Sequence, residues 1–386
     1  MTIQRQKNLP NIPYMHQIAV IPGDLNGKTV TDAVLTVNDA LVEAKKFKNP
    51  IIHEIFLYDA DYFLREGITE LREQELNELK RNDHIFLGAI GDPTKIKPGV
   101  IEIGLLLKIR QAFDQYVNLR PVVLPEGVPS VIVGKYHKDI NFEICRENSE
   151  GLYVAKGRIE NPGTNDEIGI QEMWCSYKGV KRLAEYAAER AIIKGNEKGK
   201  KPTLHFVFKN NVLTYASPPW DRVFQEYQKR EDINVRYMHI DNFIMQMVTN
   251  PAQFDVVITE NMFGDIATDL GAVIQGGIGT AVSGNIDPTG RFPSMFEPIH
   301  GTAPDKWYEK DAKGEYIPGT FRPDLVQQIK PEAAFMSYAM MLEQIGEVIA
   351  ADTMKQAALA NLRNPNYKTN SLDKLVEQAC DFVRAK

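Results

Sequence analysis

Short apolar segments alternate with amphipathic segments along most of this 386-residue chain. Helical periodicity, as in KGVKRLAEYAAERAI, separates strand-like runs at residues 16–24, 51–58, 84–92, 203–209 and 254–260. Such alternation is typical of proteins in which helices cover both faces of a largely parallel sheet. The pattern therefore predicts an α/β protein.

The composition narrows the classes of partner. With 43% hydrophobic and 25% charged residues the chain has the profile of a folded globular protein. Its net charge of -6 argues against nucleic-acid binding, which needs a basic face. It contains no apolar run of the roughly 20 residues that cross a bilayer, and its N-terminal segment lacks the apolar core of a secretory signal. We therefore expect a cytoplasmic protein with no nucleic-acid partner and no membrane partner.

Two aspartates form a candidate metal site. Asp265 and Asp269 are four residues apart, so a helix would place both carboxylates on one face. Like charges this close repel unless a cation lies between them, and oxygen ligands favour Mg²⁺ or Mn²⁺. The preceding run FDVVITE ends where α/β sheets bind ligands, and Asp241 follows another strand-like run in the same way. An acidic pair alone is more often a solvated helix surface.

Three arginines lie at the ends of predicted strands or helices. Two further residues are candidates for proton transfer. Arg110, Arg120 and Arg146 carry guanidinium groups that bind carboxylates through two hydrogen bonds. If they converge, they suit a substrate with at least two carboxylates, although each alone is more commonly an ordinary ion-pair residue. Lys209 and Tyr153 could transfer protons, and the structural alternative for both is a half-buried side chain.

Three loops rich in glycine and proline follow apolar runs. They are the first loop (residues 21–29, IPGDLNGKT), the second loop (88–93, GAIGDP) and the third loop (297–305, EPIHGTAPD). Such loops bring backbone amides close to a nucleotide. None matches the dinucleotide pattern G-x-G-x-x-G or the P-loop pattern, so a standard Rossmann fold is not expected.

Taken together, these motifs resemble the isocitrate/isopropylmalate dehydrogenase family of metal-dependent decarboxylating 2-hydroxyacid dehydrogenases. The resemblance covers residues 16–345 and is carried by IPGD, LGAIGDP, LLLKIRQAFDQYVNLRP, RENSEGLY, KNNVL, FDVVITENMFGDIATD and FPSMFEPIHGTAPD. DQYVNLRP and NIDPTGRFPSMFEP look most like the tartrate/D-malate dehydrogenase branch.

The resemblance implies an isopropylmalate dehydrogenase-like two-domain fold with a largely parallel sheet covered by helices. Residues 1–115 and 276–386 would form a large nucleotide-binding domain. Residues 116–275 would form a central domain that carries the dimer interface and an arm at about 147–178. It also implies a homodimer with shared active sites.

For the site, the resemblance implies a Mg²⁺ or Mn²⁺ ion held by Asp241, Asp265 and Asp269. Arg110, Arg120 and Arg146 would bind the substrate. The catalytic residues would be Lys209 as base, Tyr153 as acid and Asp241, with Lys209 and Asp241 supplied by the other subunit. NAD would bind at His300, Gly301, Thr302, Ala303 and Asp305.

The resemblance also indicates which cofactor the chain uses and which group its substrate carries on C3. The carboxylate of Asp305 favours NAD, because the 2′-phosphate of NADP would meet like charge. Ile103 and Leu106 lie where family members discriminate the group on substrate C3, and Ile103 replaces the tryptophan of the tartrate type. The serine and asparagine of isocitrate enzymes are absent. An acid of the isopropylmalate type is out of register, although Glu102 allows a shift of one residue.

We therefore expect NAD-dependent oxidative decarboxylation of a malate-type 2-hydroxy acid with a 3-carboxylate. The substrate would be a dicarboxylic or tricarboxylic acid, either D-malate/tartrate-like or a 3-alkylmalate. The alternatives are a 3-isopropylmalate or homoisocitrate dehydrogenase, and a non-catalytic regulatory subunit of the same fold.

The chain also departs from the family pattern in two places. The first loop replaces the usual G-D-G-I-G-P-E with Gly23-Asp24-Leu25-Asn26-Gly27-Lys28-Thr29 and so loses a glycine. Residues 306–329 resemble an insertion over the adenine end of the cofactor site.

Overall fold

A ten-stranded sheet runs through the structure, a computed structural model that describes residues 14–154 and 156–386. The strands are β1 (His16–Ile21), β2 (Ile51–Ile55), β3 (His84–Leu87), β4 (Val117–Val123), β5 (Asn141–Glu147), β6 (Gly157–Glu160), β7 (Ile168–Gln171), β8 (Thr203–Phe208), β9 (Asn234–His239), β10 (Val256–Thr259), β11 (Val282–Ile286) and β12 (Ser294–Pro298). The sheet order is β2-β1-β3-β12-β11-β4-β5-β10-β8-β9, and β6 and β7 form a separate hairpin.

The main sheet is largely parallel. Antiparallel pairing occurs only where β11 joins β12 and β4 and where β4 joins β5. The other neighbours are parallel, which requires crossover connections, and most of these contain helices. This order and the antiparallel centre differ from a Rossmann sheet. The predicted fold class is confirmed.

The helices are α1 (Asn26–Glu43), α2 (Ala60–Glu66), α3 (Glu73–Leu79), α4 (Lys108–Ala112), α5 (Tyr177–Lys198), α6 (Pro218–Tyr227), α7 (Ile240–Thr249), α8 (Asn261–Ile274), α9 (Pro323–Val326), α10 (Glu332–Gln344), α11 (Val348–Arg363) and α12 (Leu372–Ala385). A π-helix, Glu102–Leu107, leads directly into α4. Helix α5 shows how local sequence sets the ends: the Ser176 hydroxyl accepts from Gly179 N, and Gly199 ends the helix at φ 61.

Helices cover both faces of the sheet. On β1, Ile18 and Val20 pack into the core formed with α1, α10, α11 and α12, whereas Ala19 and Ile21 pack on the opposite face. All four side chains are fully buried. Because consecutive residues of a strand point to opposite faces, such a strand reads as a continuous apolar run. This burial explains why these strands were visible in the sequence.

The strand order groups each predicted domain on one half of the sheet. Strands from residues 1–115 and 276–386 lie on one side of the β11–β4 junction, and strands from 116–275 lie on the other. The division into two domains remains a prediction.

The segment predicted as an arm contains the β6–β7 hairpin, on which Ile159 is 64% exposed. Residues 1–13 of the predicted N-terminal lead-in lie outside the described residues. Within the described residues, no helix combines the length and apolarity needed to cross a membrane.

Candidate active site

The three predicted substrate arginines meet in one cavity. It has a volume of about 360 Å³ and is lined by Glu102, Leu106, Leu107, Arg110, Arg120, Arg146, Tyr153, Asp265, Asp269, Glu297, Pro298 and Ile299. Arg146 is near the end of β5, and α8 begins two residues after the neighbouring strand β10. Several side chains that are distant in sequence therefore meet at one edge of the sheet.

The arginines are buried and held in place by polar side chains. Arg110 donates to Glu297 Oε1 at 2.9 Å, Arg120 Nε donates to Asn118 Oδ1 at 2.8 Å, and Arg146 forms an ion pair with Asp265. Burial, together with the charges of Arg146 and Arg110, lowers the pKa of Arg120 to about 9. Arg110 Nε has no hydrogen-bond partner within the described residues. The cluster thus offers three cations that a polyanionic ligand would stabilise.

The predicted aspartate pair lies on helix α8. Glu260 caps this helix by accepting from Phe263 N at 2.6 Å and Met262 N at 3.1 Å. Burial and the charge of Asp265 raise the pKa of Asp269. Burial alone would raise the pKa of Asp265, but the Arg146 charge lowers it below its usual value. The two carboxylates are the hard oxygen donors that suit Mg²⁺ or Mn²⁺.

Tyr153 completes the cavity on the side of α8. Its hydroxyl donates to Asp265 Oδ2 at 2.9 Å, and burial together with the Asp265 charge raises the pKa of Tyr153 to about 12. The chain just before Tyr153 approaches α8 closely at Gly151, which has φ 89. A Cβ atom at this position would lie 2.9 Å from Asn261 Cβ. Because its pKa is raised, the Tyr153 hydroxyl keeps its proton at neutral pH and can act as an acid.

Lys209 and Asp241 are not among the residues that line this cavity. Lys209 follows β8, and Asp241 lies in the first turn of α7 after the neighbouring parallel strand β9. Lys209 Nζ donates to Asp241 Oδ1 at 2.6 Å, and this hydrogen bond lowers the pKa of Asp241. No cluster of three or more potential metal-ligating His, Cys, Asp or Glu side chains occurs within residues 14–154 and 156–386. The cavity of a single chain thus supplies two of the three predicted metal ligands.

The substrate-specificity segment differs from the sequence prediction. Ile103 is 56% exposed and does not line the cavity, whereas Leu106 does and Glu102 takes the place predicted for Ile103. Counting back from Arg110 assumed a regular α-helix, but Glu102–Leu107 is a π-helix, which contains an extra residue. Glu102 Oε2 accepts from Gly99 N at 2.9 Å.

Sequence analysis also missed Leu107 and Glu297 as lining residues. For Glu102, the available signal was its position one residue before Ile103. For Glu297, the signal was a carboxylate at the start of the third loop, opposite a candidate substrate arginine.

The three loops lie side by side. They follow β1, β3 and β12, which are consecutive parallel strands of the sheet. In the third loop, Ala303 has φ 47, Asp305 is exposed, and His300 Nε2 is buried without a hydrogen-bond partner within the described residues. Gly301 and Thr302 lie between His300 and Ala303, and a Cβ atom at Gly301 would point into open space. The unpaired His300 nitrogen, the exposed Asp305 carboxylate and the open space at Gly301 are features that suit the binding of a dinucleotide.

The fold and the site define an α/β enzyme with a polyanion-binding pocket next to a nucleotide-binding edge. The sequence profile of the isocitrate/isopropylmalate dehydrogenase family matches residues 17–383, and the chain belongs to this family. It is an NAD-dependent decarboxylating dehydrogenase that acts on the CH–OH group of a hydroxy acid and uses Mg²⁺ or Mn²⁺. These predictions are confirmed, and they favour the enzyme over the regulatory-subunit alternative.

Individual relatives agree with this assignment. The chain is 40% identical over 353 residues to the 3-isopropylmalate dehydrogenase of Thermobifida fusca, covering 90% of this chain and 91% of the relative. It is 37% identical over 376 residues to that of Leifsonia xyli subsp. xyli, covering 96% and 97%. The crystal structure of isocitrate dehydrogenase from Methylococcus capsulatus superposes with a TM-score of 0.77 at 26% identity, covering 96% of this chain and 100% of that chain.

Proposed function

We propose that this chain oxidises and decarboxylates a 3-alkylmalate, with 3-isopropylmalate as the leading candidate. The observation that carries the proposal is the lining of the cavity by Leu106, Leu107 and Glu102 beside the arginines. Two leucines favour an alkyl group on C3. The Glu102 carboxylate repels the third carboxylate of isocitrate or homoisocitrate. D-malate and tartrate carry no alkyl group and would leave the leucines without a contact. The names of the curated relatives support the same substrate.

The proposed chemistry assigns one task to each group. NAD, held at the third loop, would supply the hydride acceptor for C2, and a divalent ion held by Asp265 and Asp269 would supply a positive charge near the C2 oxygen. Lys209 accepts the hydroxyl proton as C2 loses its hydride. The bond from C3 to its carboxylate then breaks, CO₂ leaves, and the electron pair moves into the enolate of the 2-oxo acid. Tyr153 donates its proton to C3. The arginines orient the carboxylates throughout.

We propose that the working unit is a homodimer. Lys209 and Asp241 have no place in the cavity of their own chain, yet the chemistry requires a base and a third metal ligand. On α7 and α8, Met245 and Ile266 are 64% and 58% exposed. Exposed apolar side chains on adjacent helices are characteristic of an interface. A partner seated there would bring its own Lys209 and Asp241 to the cavity.

Removal of one metal carboxylate should abolish stabilisation by Mn²⁺. In the wild type we expect Mn²⁺ at 100 times its Kd to raise the free energy of unfolding by about 2.7 kcal/mol. Asp269→Asn removes a charge that faces Asp265, so the metal-free variant should unfold at the same or a higher temperature while Mn²⁺ has little effect. Thermal unfolding with and without Mn²⁺ measures this. Asp352→Asn, on the exposed face of α11, is the control and should retain the full Mn²⁺ effect.

A substrate panel tests the proposed function directly. The purified protein is assayed with NAD and Mn²⁺ on D-malate, tartrate, 3-isopropylmalate, isocitrate and homoisocitrate, following the absorbance of NADH. We expect the highest kcat/KM with 3-isopropylmalate. A higher kcat/KM with D-malate or tartrate would restore the smaller substrate as the leading candidate.

Neutralising Glu102 should relax the discrimination against tricarboxylic acids. With Glu102→Gln we expect kcat/KM for isocitrate to rise about tenfold relative to 3-isopropylmalate, because a like-charge contact costs at least about 1.4 kcal/mol. Glu70→Gln is a matched control, since Glu70 is exposed and pairs with Lys108 outside the cavity. An unchanged ratio of the two kcat/KM values in Glu102→Gln would show that Glu102 does not face the C3 substituent.

A further inference from the structure

The insertion, residues 306–329, contacts two of the three nucleotide loops. Trp307 Nε1 donates to Asn26 Oδ1 of the first loop at 2.8 Å. The Tyr308 hydroxyl donates to Asp92 Oδ2 of the second loop, also at 2.8 Å. The insertion is covalently continuous with the third loop at Asp305. It therefore connects all three loops of the nucleotide-binding edge.

The two bonds are made to buried acceptors. Asn26 is 5% exposed and begins α1, and Asp92 is 1% exposed. The other Asp92 oxygen, Oδ1, accepts from Thr94 N at 3.0 Å and from Thr94 Oγ1 at 2.7 Å. A buried acceptor that loses its donor costs more than the hydrogen bond itself contributes. The bonds from the insertion therefore constrain where both loops lie.

The first loop needs such a constraint because of its altered sequence. Leu25, in the stretch where the chain has lost one glycine of the family pattern, adopts φ 47. A residue such as leucine is strained at positive φ, and this conformation persists only where its surroundings hold it. The Trp307 bond reaches Asn26, the next residue. The altered loop and the insertion are thus in contact and depend on each other.

Other residues of the insertion pack against Trp307 and bond to the backbone next to Tyr308. The Trp307 ring lies 5.4 Å from the Phe321 ring, and it also packs against the core under α1. Ile317 N donates to Glu309 O at 2.9 Å, and Glu309 N donates to Thr320 Oγ1 at 2.9 Å. The returning chain thus fixes the positions from which Trp307 and Tyr308 reach the loops.

We propose that the insertion is a positioning element of the NAD site, in which Trp307 and Tyr308 hold the first and second loops in their NAD-binding arrangement. This rests on NAD as the cofactor and on binding at the three loops. No residue of the insertion lines the arginine cavity. Loss of either hydrogen bond therefore weakens NAD binding and leaves hydroxy-acid binding unchanged.

The test measures NADH binding to the protein without substrate, by fluorescence titration or calorimetry. Tyr308→Phe removes the donor and keeps the ring, and Trp307→Phe removes the donor and leaves a smaller aromatic ring in place. We expect the Kd for NADH to rise about three- to tenfold in each variant, with KM for the hydroxy acid within about twofold of wild type. Tyr316→Phe is the matched control, because Tyr316 lies in the same insertion and, within the described residues, contacts Lys310 through its ring and pairs with Lys310 through its backbone.

A double variant separates positioning from general destabilisation. If the Trp307 bond acts through Asn26, Trp307→Phe combined with Asn26→Leu should raise the Kd for NADH no further than the more severe single variant. An unchanged Kd in both Trp307→Phe and Tyr308→Phe, or an equal rise in Tyr316→Phe, would overturn the proposal. Because no hydroxy acid is present, this result does not depend on the substrate proposed above. Thermal unfolding of each variant verifies that the protein is folded.

Discussion

Replacing Lys209 with methionine is expected to lower kcat by about 10²- to 10⁴-fold, the usual contribution of a general base. Methionine has nearly the length of lysine but cannot accept a proton. Within the described residues, the side-chain hydrogen bond that is lost joins Lys209 to Asp241, whose side chain is 65% exposed, so little stability should be lost. Steady-state rates with saturating NAD, Mn²⁺ and 3-isopropylmalate measure the effect. Lys229→Met, at an exposed lysine of the same predicted domain, is the control.

Lys209 is the proposed base because none of the residues that line the cavity of one chain is assigned that role. A guanidinium group is not a base at neutral pH, and Tyr153, with a pKa raised to about 12, keeps its proton. Asp265 and Asp269 are committed to the metal in the proposed mechanism. Of the other two carboxylates that line the cavity, Glu297 pairs with Arg110 and Glu102 is proposed to face the C3 substituent, so none of the lining residues of one chain is assigned as the base. A near-normal kcat in Lys209→Met, with Lys229→Met also normal, would mean that another group removes the hydroxyl proton.

Two inactive variants should recover activity when they share a dimer. Lys209→Met and Asp265→Asn are each expected to be inactive as homodimers. In a mixed dimer one site combines the intact Asp265 of the first chain with the intact Lys209 of the second, while the other site carries both changes. The isolated mixed dimer should therefore have about one half of wild-type activity, and an unseparated mixture formed by random pairing about one quarter. Co-expression with two affinity tags, followed by assay of the mixed dimer, measures this recovery.

The control combines two changes within the same cavity. Asp265→Asn and Tyr153→Phe affect side chains that are hydrogen-bonded to each other in one chain. Every site of their mixed dimer therefore retains one defect, and no recovery is expected. If Lys209→Met and Asp265→Asn also fail to complement each other in a verified mixed dimer, the proposal of shared active sites is wrong.

The parts of the site that the sequence predicted depend on local geometry. Asp265 and Asp269 were assigned to one helix face from a spacing of four residues, and α8 places both in the cavity. The strand-like runs before the three loops were visible because both faces of those strands are buried. Regular elements repeat at fixed intervals, so a spacing in the sequence converts directly into a direction in space.

The tertiary structure decided which side chains face the substrate pocket. Gly104 lies so close to the chain at Thr69 that a Cβ would be 2.0 Å from Thr69 O, and Leu71 N donates to Gly104 O at 2.9 Å. This long-range contact accompanies the π-helical turn that presents Glu102 in place of Ile103. No count along the chain contains that information, because the register of the helix is altered where a distant segment packs against it.

The sequence by itself determined the α/β class, the family and the acidic pair on α8, and it identified the three arginines as candidates without showing that they converge. Each of these is encoded in residues that are close together in sequence or in motifs of fixed order. Only the tertiary structure placed Glu102 in the cavity lining instead of Ile103 and joined the insertion to the first and second loops through Trp307 and Tyr308. Contacts between segments that are tens to hundreds of residues apart depend on how the completed sheet and its loops pack, and local periodicity carries no record of them.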